Sequence, residues 1–234
     1  MLEEHAPGLA PRPLGRATSE GRPAITMTRL PGTPLEGPLD PARTEAVAAA
    51  MNRLHTAVPA QRLRGVPHRL WGAAEVVGHL RSRVETVEPA GLPVDVGDAY
   101  GAGAGWVRGT QAGHLARTEG HEVFAQADGN LANYLWDGSE CRLVDFEDSG
   151  VGDRAFEIAD LVEHVSVWLT GALDADDFLA HLDPEPVLAA RVRDMRRLFA
   201  LFWLDMLLPG NPAHDRNPPG SLERQAARLQ SLLG

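Results

Sequence analysis

The chain has 234 residues, 44% of them apolar and 23% charged, enough to bury a sizeable core, which excludes a fibrous or intrinsically disordered protein. Its net charge of −10 argues against recognition of a nucleic-acid backbone, and its 22 basic residues are all arginine, so chemistry that needs a lysine amine is excluded. Cys141 is the single cysteine, which rules out an intrachain disulfide and a cysteine-clustered metal site.

Glu3 and Glu4 followed by prolines replace the basic and then apolar run of a signal peptide, and no window approaches 18 uninterrupted apolar residues. The expectation is a cytoplasmic protein that does not enter a membrane. Short strands at Pro13-Leu14 and over residues 23–30, joined through Thr18-Ser19-Glu20-Gly21, predict a hairpin that must pack on something else to be stable. Asp40-Pro41 is an N-cap and a first-turn proline, and Val47, Met51 and Leu54 recur at helical spacing up to His55. A second helix is expected over residues 70–87. A third is expected within 95–117, weakened by Gly97, Gly101, Gly103, Gly105 and Gly109.

The next stretch changes character. Tyr134-Leu135-Trp136 and Cys141-Arg142-Leu143-Val144 flank Asp137-Gly138-Ser139-Glu140 and predict a second hairpin. Beyond Asp153, helices are expected over 154–170, 174–181, 186–208 and 222–233, with Asn217-Pro218-Pro219-Gly220 separating the last two.

Several motifs carry no function. Gly101-Ala102-Gly103-Ala104-Gly105-Trp106 has a tryptophan where a dinucleotide loop needs its third glycine, and no apolar strand precedes it. The loop opening at Asp128 has Ala132 and Ser139 where a calcium loop needs ligands. The nine histidines form no metal-ligand pair and read as surface or satisfied core residues. Phe199, Phe202, Trp203 and Met206 sit at helical spacing and read as core.

The informative residues are Gln126-Ala127-Asp128-Gly129-Asn130-Leu131-Ala132-Asn133 and, after the hairpin, Asp145-Phe146-Glu147-Asp148. Phosphoryl transfer needs a carboxylate for the attacking hydroxyl, and an amide and a further carboxylate to hold Mg²⁺ against the phosphates. This stretch supplies them in chain order. Taken alone, the same residues fit equally well as turn formers on a surface hairpin.

The segment resembles the catalytic and metal-binding loops of the aminoglycoside phosphotransferase and choline kinase-like family, His-x-Asp-x-x-x-x-Asn followed by a strand ending in Asp-Phe-Glu. Leu30-Pro31-Gly32 resembles that family's hinge exit, Arg53-Leu54-His55 its first C-lobe helix, and Gly152-Asp153-Arg154-Ala155 with Ile158-Ala159-Asp160-Leu161 the segment after the metal loop. The resemblance implies an α+β fold. A kinase-like C-lobe, mainly helical with a small catalytic β-hairpin, would occupy residues 38–234, and a remnant N-lobe hairpin and hinge residues 1–37. It implies transfer of the γ-phosphoryl group of ATP or GTP to a hydroxyl of a small molecule resembling an aminoglycoside, choline or a sugar. Asp128 would be the catalytic base or hydroxyl-orienting residue, Asn133 and Asp145 Mg²⁺ ligands, and Glu147 a second-metal or water-mediated contact. Met27, Thr28, Arg29 and Leu30 would be the hinge that meets the adenine.

The chain departs from that pattern in three ways. Gln126 stands in place of the histidine and Ala127 in place of the glycine; fewer than thirty residues precede Leu30; and there is no lysine to anchor the phosphates. These departures support an alternative, a truncated and catalytically incompetent relative that is a binding protein or an inactive gene product. They also lead to the expectation that an uncovered strand edge near Met27 forms a homodimer or leaves the first thirty residues poorly ordered. Arg12, Arg16 and Arg22 carry charge near that end but not a lysine's compact ammonium.

Overall fold

The computed structural model describes residues 2–234 and begins with an element that composition did not suggest, the single helical turn α1 (Leu2–His5). The expected hairpin follows as β1 (Pro13–Ser19) and β2 (Arg22–Met27), turning at Glu20 and Gly21, which both adopt positive φ. Arg16 pairs with Ile25 across it, so Arg16, Ile25 and Met27 share one face. That face is left exposed by the hairpin itself. The residues just after the hinge exit are not expected from sequence to be a strand. They form β3 (Thr33–Pro34), which pairs with β5 (Tyr134–Trp136), itself hydrogen-bonded to β6 (Cys141–Leu143) in the predicted second hairpin.

Asp40 caps α2 (Pro41–Ala57) as expected, its Oδ1 accepting from the Arg43 N–H at 2.8 Å. A short α3 (Ala60–Leu63) precedes α4 (Ala73–Arg83), which starts three residues later than the spacing predicts. The Glu75 carboxylate accepts from the Gly72 N–H at 2.9 Å and sets that start. The glycine-rich third helix is instead two, α5 (Val94–Arg108) and α6 (Thr110–Arg117), broken at Gly109. Packing overrides propensity here. A Cβ on Gly103 would stand 2.6 Å from a methyl of Leu201 and 3.0 Å from one of Leu229, so the glycine permits close helix contact.

A further pair of strands, β4 (Glu122–Ala125) and β7 (Gly150–Asp153), brackets the informative loops. Residues 67–69 extend this pair: His68 bridges Val151 in parallel, and the Arg69 N–H donates to the Val151 carbonyl at 3.1 Å. The expected helix over 154–170 is split into α7 (Arg154–Glu163) and α8 (Val165–Trp168), because His164 takes an extended backbone and its side chain caps the second piece. Then come α9 (Ala175–Leu182), α10 (Pro186–Met206), α11 (Pro212–Arg216) and α12 (Ser221–Leu233).

The core centres on α10, whose Met195, Leu198, Leu201 and Leu204 are buried against α5, α7 and α12. Phe156 of α7 meets Phe199 of α10 edge to face at 4.6 Å. The fully buried Glu163 is held by Arg196 at 2.6 Å and Arg228 at 2.8 Å, which ties α7 to α10 and α12. The result is an α+β fold in which the helices support three small sheets, β1-β2, β3-β5-β6 and β4-β7. Among the described residues no helix is long and apolar enough to cross a membrane.

Candidate active site

β4 delivers the chain into the first informative loop. Gln126 is buried, and its side-chain amide donates to the carbonyls of Val144 and Asp145 at 2.7 and 3.1 Å. Its amide thus joins the Asp128 loop to the Asp145 loop, a link within the donor capacity of a glutamine. Ala127 adopts φ +76°, and both its backbone groups are tied, the N–H to Glu157 at 3.2 Å and the carbonyl to Arg69 at 3.3 Å.

A left-handed backbone costs a residue with a Cβ about 1–2 kcal/mol, more than the roughly 0.5–1 kcal/mol that glycine loses in chain entropy. Ala127→Gly is therefore expected to raise stability by about 0.5–1 kcal/mol. Urea unfolding checks this, and a lower midpoint in the variant would show that Ala127 is not strained.

Asp128 accepts two hydrogen bonds, one from the Asn130 N–H at 3.0 Å and one from the Asn133 side-chain amide at 2.8 Å. The sequence-predicted catalytic and metal-loop residues Asp128 and Asn133 are thus in direct contact. Gly129 lies so close to α7 that a Cβ would stand 2.5 Å from the Asp160 carbonyl. Asp145 adopts φ +63°, a conformation aspartate tolerates, and is exposed together with Glu147 and Asp148. Below the loop, Phe146 stacks on Phe124 at 6.3 Å.

Two clefts meet at these residues. The outer one, about 820 Å³, has Leu14, Arg16, Ile25 and Met27 of the first hairpin on one wall and Asp145, Phe146 and Glu147 on the other. The inner one, about 280 Å³, is lined by five carboxylates, Asp128, Asp145, Glu147, Asp148 and Asp160, together with His164 and Trp203. Asp145 and Glu147 line both; Asp128 lines only the inner one. Of the four expected hinge residues, Met27 alone lines the outer cleft. The Thr28 N–H and hydroxyl are bonded to the backbone of Arg12, each at 2.9 Å.

Several site residues were not visible in the sequence. Arg69 is buried beneath the Asp128 loop, paired with Glu157, 3.5 Å from Asp160 and stacked over the Phe156 ring at 4.6 Å. Glu157 and Asp160, about one turn apart among the apolar residues of α7, are the available signal that a buried cation packs there. Burial pushes Asp160 up to about 7, against the pull of Arg69. Trp203, expected in the core, faces the inner cleft with its ring edge-on to His164 at 4.8 Å. Burial pushes His164 down to about 4, so the imidazole is neutral near pH 7. His55 departs from the expected satisfied core histidine: its ring nitrogens have no hydrogen-bond partner among the described residues, and burial lowers it to about 3.

Asp145 and Glu147 make no side-chain hydrogen bond or ion pair among the described residues, and their oxygens are hard donors of the kind Mg²⁺ takes. No group of three or more acidic, histidine or cysteine side chains among the described residues converges as a ready metal cage. Mg²⁺ commonly uses one or two carboxylates and completes its shell with water and substrate phosphates, so the donors present fit it.

Comparison with known proteins bears on the family and the fold. No curated protein sequence matches the chain. Among solved structures, a choline/ethanolamine kinase family protein from Mesorhizobium loti superposes with a TM-score of 0.65 at 18% identity, covering 99% of this chain and 76% of the other. The GDP and kanamycin complex of APH(2")-IIia gives 0.64 at 16% identity, covering 99% and 78%. An aminoglycoside phosphotransferase from Streptomyces rimosus, in complex with ADP and streptomycin, gives 0.54 at 20%, covering 88% and 78%. At these identities the likeness is one of fold. The sequence model of the phosphotransferase enzyme family matches residues 2–191, a span that contains both loops and both walls of the outer cleft. The chain belongs to the phosphotransferase enzyme family.

Proposed function

We propose that this chain transfers the γ-phosphoryl group of ATP or GTP to a hydroxyl of a small, positively charged acceptor such as an aminoglycoside or a choline-like amino alcohol. The observation that carries this is the meeting of two clefts at Asp145 and Glu147, with Asp128 on the inner side only. The outer cleft, with apolar Leu14, Ile25 and Met27 facing Phe146, suits a purine. The inner cleft, rich in carboxylates, suits a cation that carries the hydroxyl.

In this reading residues 1–37 form the wall and hinge of the donor cleft, and residues 38–234 the helical lobe with both loops. Asp128 orients the acceptor hydroxyl and accepts its proton as the oxygen attacks the γ-phosphorus and the nucleoside diphosphate leaves. The Asn133 amide keeps the Asp128 carboxylate in place through the 2.8 Å hydrogen bond, while its own oxygen remains for the metal. Asp145 and Asn133 would hold Mg²⁺, with Glu147 a second or water-mediated contact. When bound, the ion neutralises phosphate charge. Gln126 keeps the two loops in register.

The test is release of nucleoside diphosphate from Mg-ATP and Mg-GTP across a panel of aminoglycosides, choline, ethanolamine and neutral sugars. Acceptor-dependent turnover is expected, faster with cationic acceptors than with neutral ones. Absence both of turnover and of Mg²⁺-dependent nucleotide binding refutes the proposal. The lysine-free sequence favours a second reading, a binding protein, which nucleotide binding without transfer to any acceptor would select.

A further inference from the structure

A nucleoside triphosphate carries about four negative charges, and the cleft proposed for it ends at Asp145 and Glu147, with three more carboxylates just beyond. The phosphates therefore need cationic partners from the protein as well as from metal. The chain has no lysine. Among the described residues lining the two clefts, His164 is held neutral by burial, and one side chain is a permanent cation, Arg16.

Arg16 sits on β1 opposite Ile25, on the face that lines the outer cleft. Its guanidinium makes no ion pair or hydrogen bond among the described residues. By contrast Arg69, Arg83, Arg142, Arg191, Arg196 and Arg228 are each committed to a carboxylate. Arg22, which pairs with Ser19 at the turn end of the hairpin, does not line the cleft, and neither does Arg12. An edge-strand arginine can also serve only to keep a strand soluble. Arg16 differs from such a residue in lining a cleft whose other wall carries Asp145 and Glu147, the residues proposed to meet the metal.

We propose that Arg16 holds the donor's phosphates, its planar guanidinium acting where a compact lysine ammonium is absent; this rests on the phosphotransferase reading above. The nucleoside itself is recognised by the apolar wall and needs no cation. Loss of Arg16 therefore weakens binding in proportion to phosphate content, and leaves the base contact unchanged.

The experiment is calorimetric titration of Mg-ATP, Mg-GTP, adenosine and guanosine into the wild-type chain and into Arg16→Gln, Arg16→Lys and Arg22→Gln. Arg16→Gln is expected to weaken triphosphate binding by about ten- to a hundredfold, the usual range for losing hydrogen bonds to a charged group. Nucleoside affinity stays as in wild type. Arg16→Lys recovers part of the loss, since it keeps charge without the bidentate fork, and Arg22→Gln binds all four as wild type does. Unchanged triphosphate affinity in Arg16→Gln, an equal loss for nucleosides, or an equal loss in Arg22→Gln overturns the assignment while leaving the phosphotransferase reading intact. A wild-type chain that binds no nucleotide in the presence of Mg²⁺ overturns both.

Discussion

Asp128→Asn is expected to lower phosphoryl transfer by about 10²–10⁴-fold, the contribution usual for a positioned acid–base group, while nucleotide affinity stays near wild type. Asp128 borders the inner cleft and not the outer one, so in the proposed reading its loss acts chiefly on the acceptor side. Its two oxygens accept from Asn130 and Asn133, and an amide in its place turns a donor toward one of those donors. Asp145→Asn has the opposite signature. Asp145 borders both clefts, its carboxylate has no other partner among the described residues, and its loss weakens nucleotide binding only when Mg²⁺ is present. Turnover measured beside calorimetric titration, with and without Mg²⁺, separates the two. Equal loss of nucleotide affinity in both variants would show that the roles are wrongly divided.

The largest loss of stability is expected from Arg69→Met. The Arg69 side chain packs against the buried Glu157 and Asp160, and its removal leaves two buried carboxylates without their cation. Breaking such a group from one side costs about 3–5 kcal/mol. The deficit carries a pH signature. Burial raises Asp160 to about 7 in the folded chain, well above the value of about 4 for an unfolded aspartate. A raised carboxylate contributes stability that is fully present below the unfolded value and is lost as pH rises through the folded one. Without Arg69 the ionised form loses its counter-charge, so the variant's deficit is larger at pH 8 than at pH 5. Urea unfolding at the two pH values reads this directly, and a deficit independent of pH would mean that Arg69 acts by packing on Phe156 rather than by charge. The Ala127 carbonyl also loses its donor, so turnover falls in molecules that remain folded.

The parts of the site legible in the chain are those whose causes lie within a few residues. The Asp40 cap acts on Arg43, the turn at Asp137 to Glu140 closes its own hairpin, and Asp128 reaches Asn133 five residues on. Turn and cap chemistry is local, and residue type with spacing suffices to read it. Helix boundaries were less faithful. The glycines between Gly97 and Gly109 predict a weak helix, yet the interior of α5 is regular because Gly103 lets Leu201 and Leu229 close on it. His164 splits a helix that periodicity reads as continuous, because its own side chain caps the second piece.

By itself, then, the sequence determined the order of the groups proposed to carry the chemistry, Asp128, Asn133, Asp145 and Glu147, and the class of fold that presents them. Tertiary structure alone decided what surrounds them. Arg69 reaches Glu157 across 88 positions, Trp203 turns one side of an apolar stripe into a cleft wall, and Arg16 comes to face Asp145 across a cleft whose two walls lie far apart in the chain. Such contacts depend on which buried surfaces meet when helices pack around α10, and no local spacing encodes the partner of a buried charge. Burial also decides charge itself: the same packing that excludes water raises Asp160 and lowers His164, so the electrostatics of the site exist only in the folded chain.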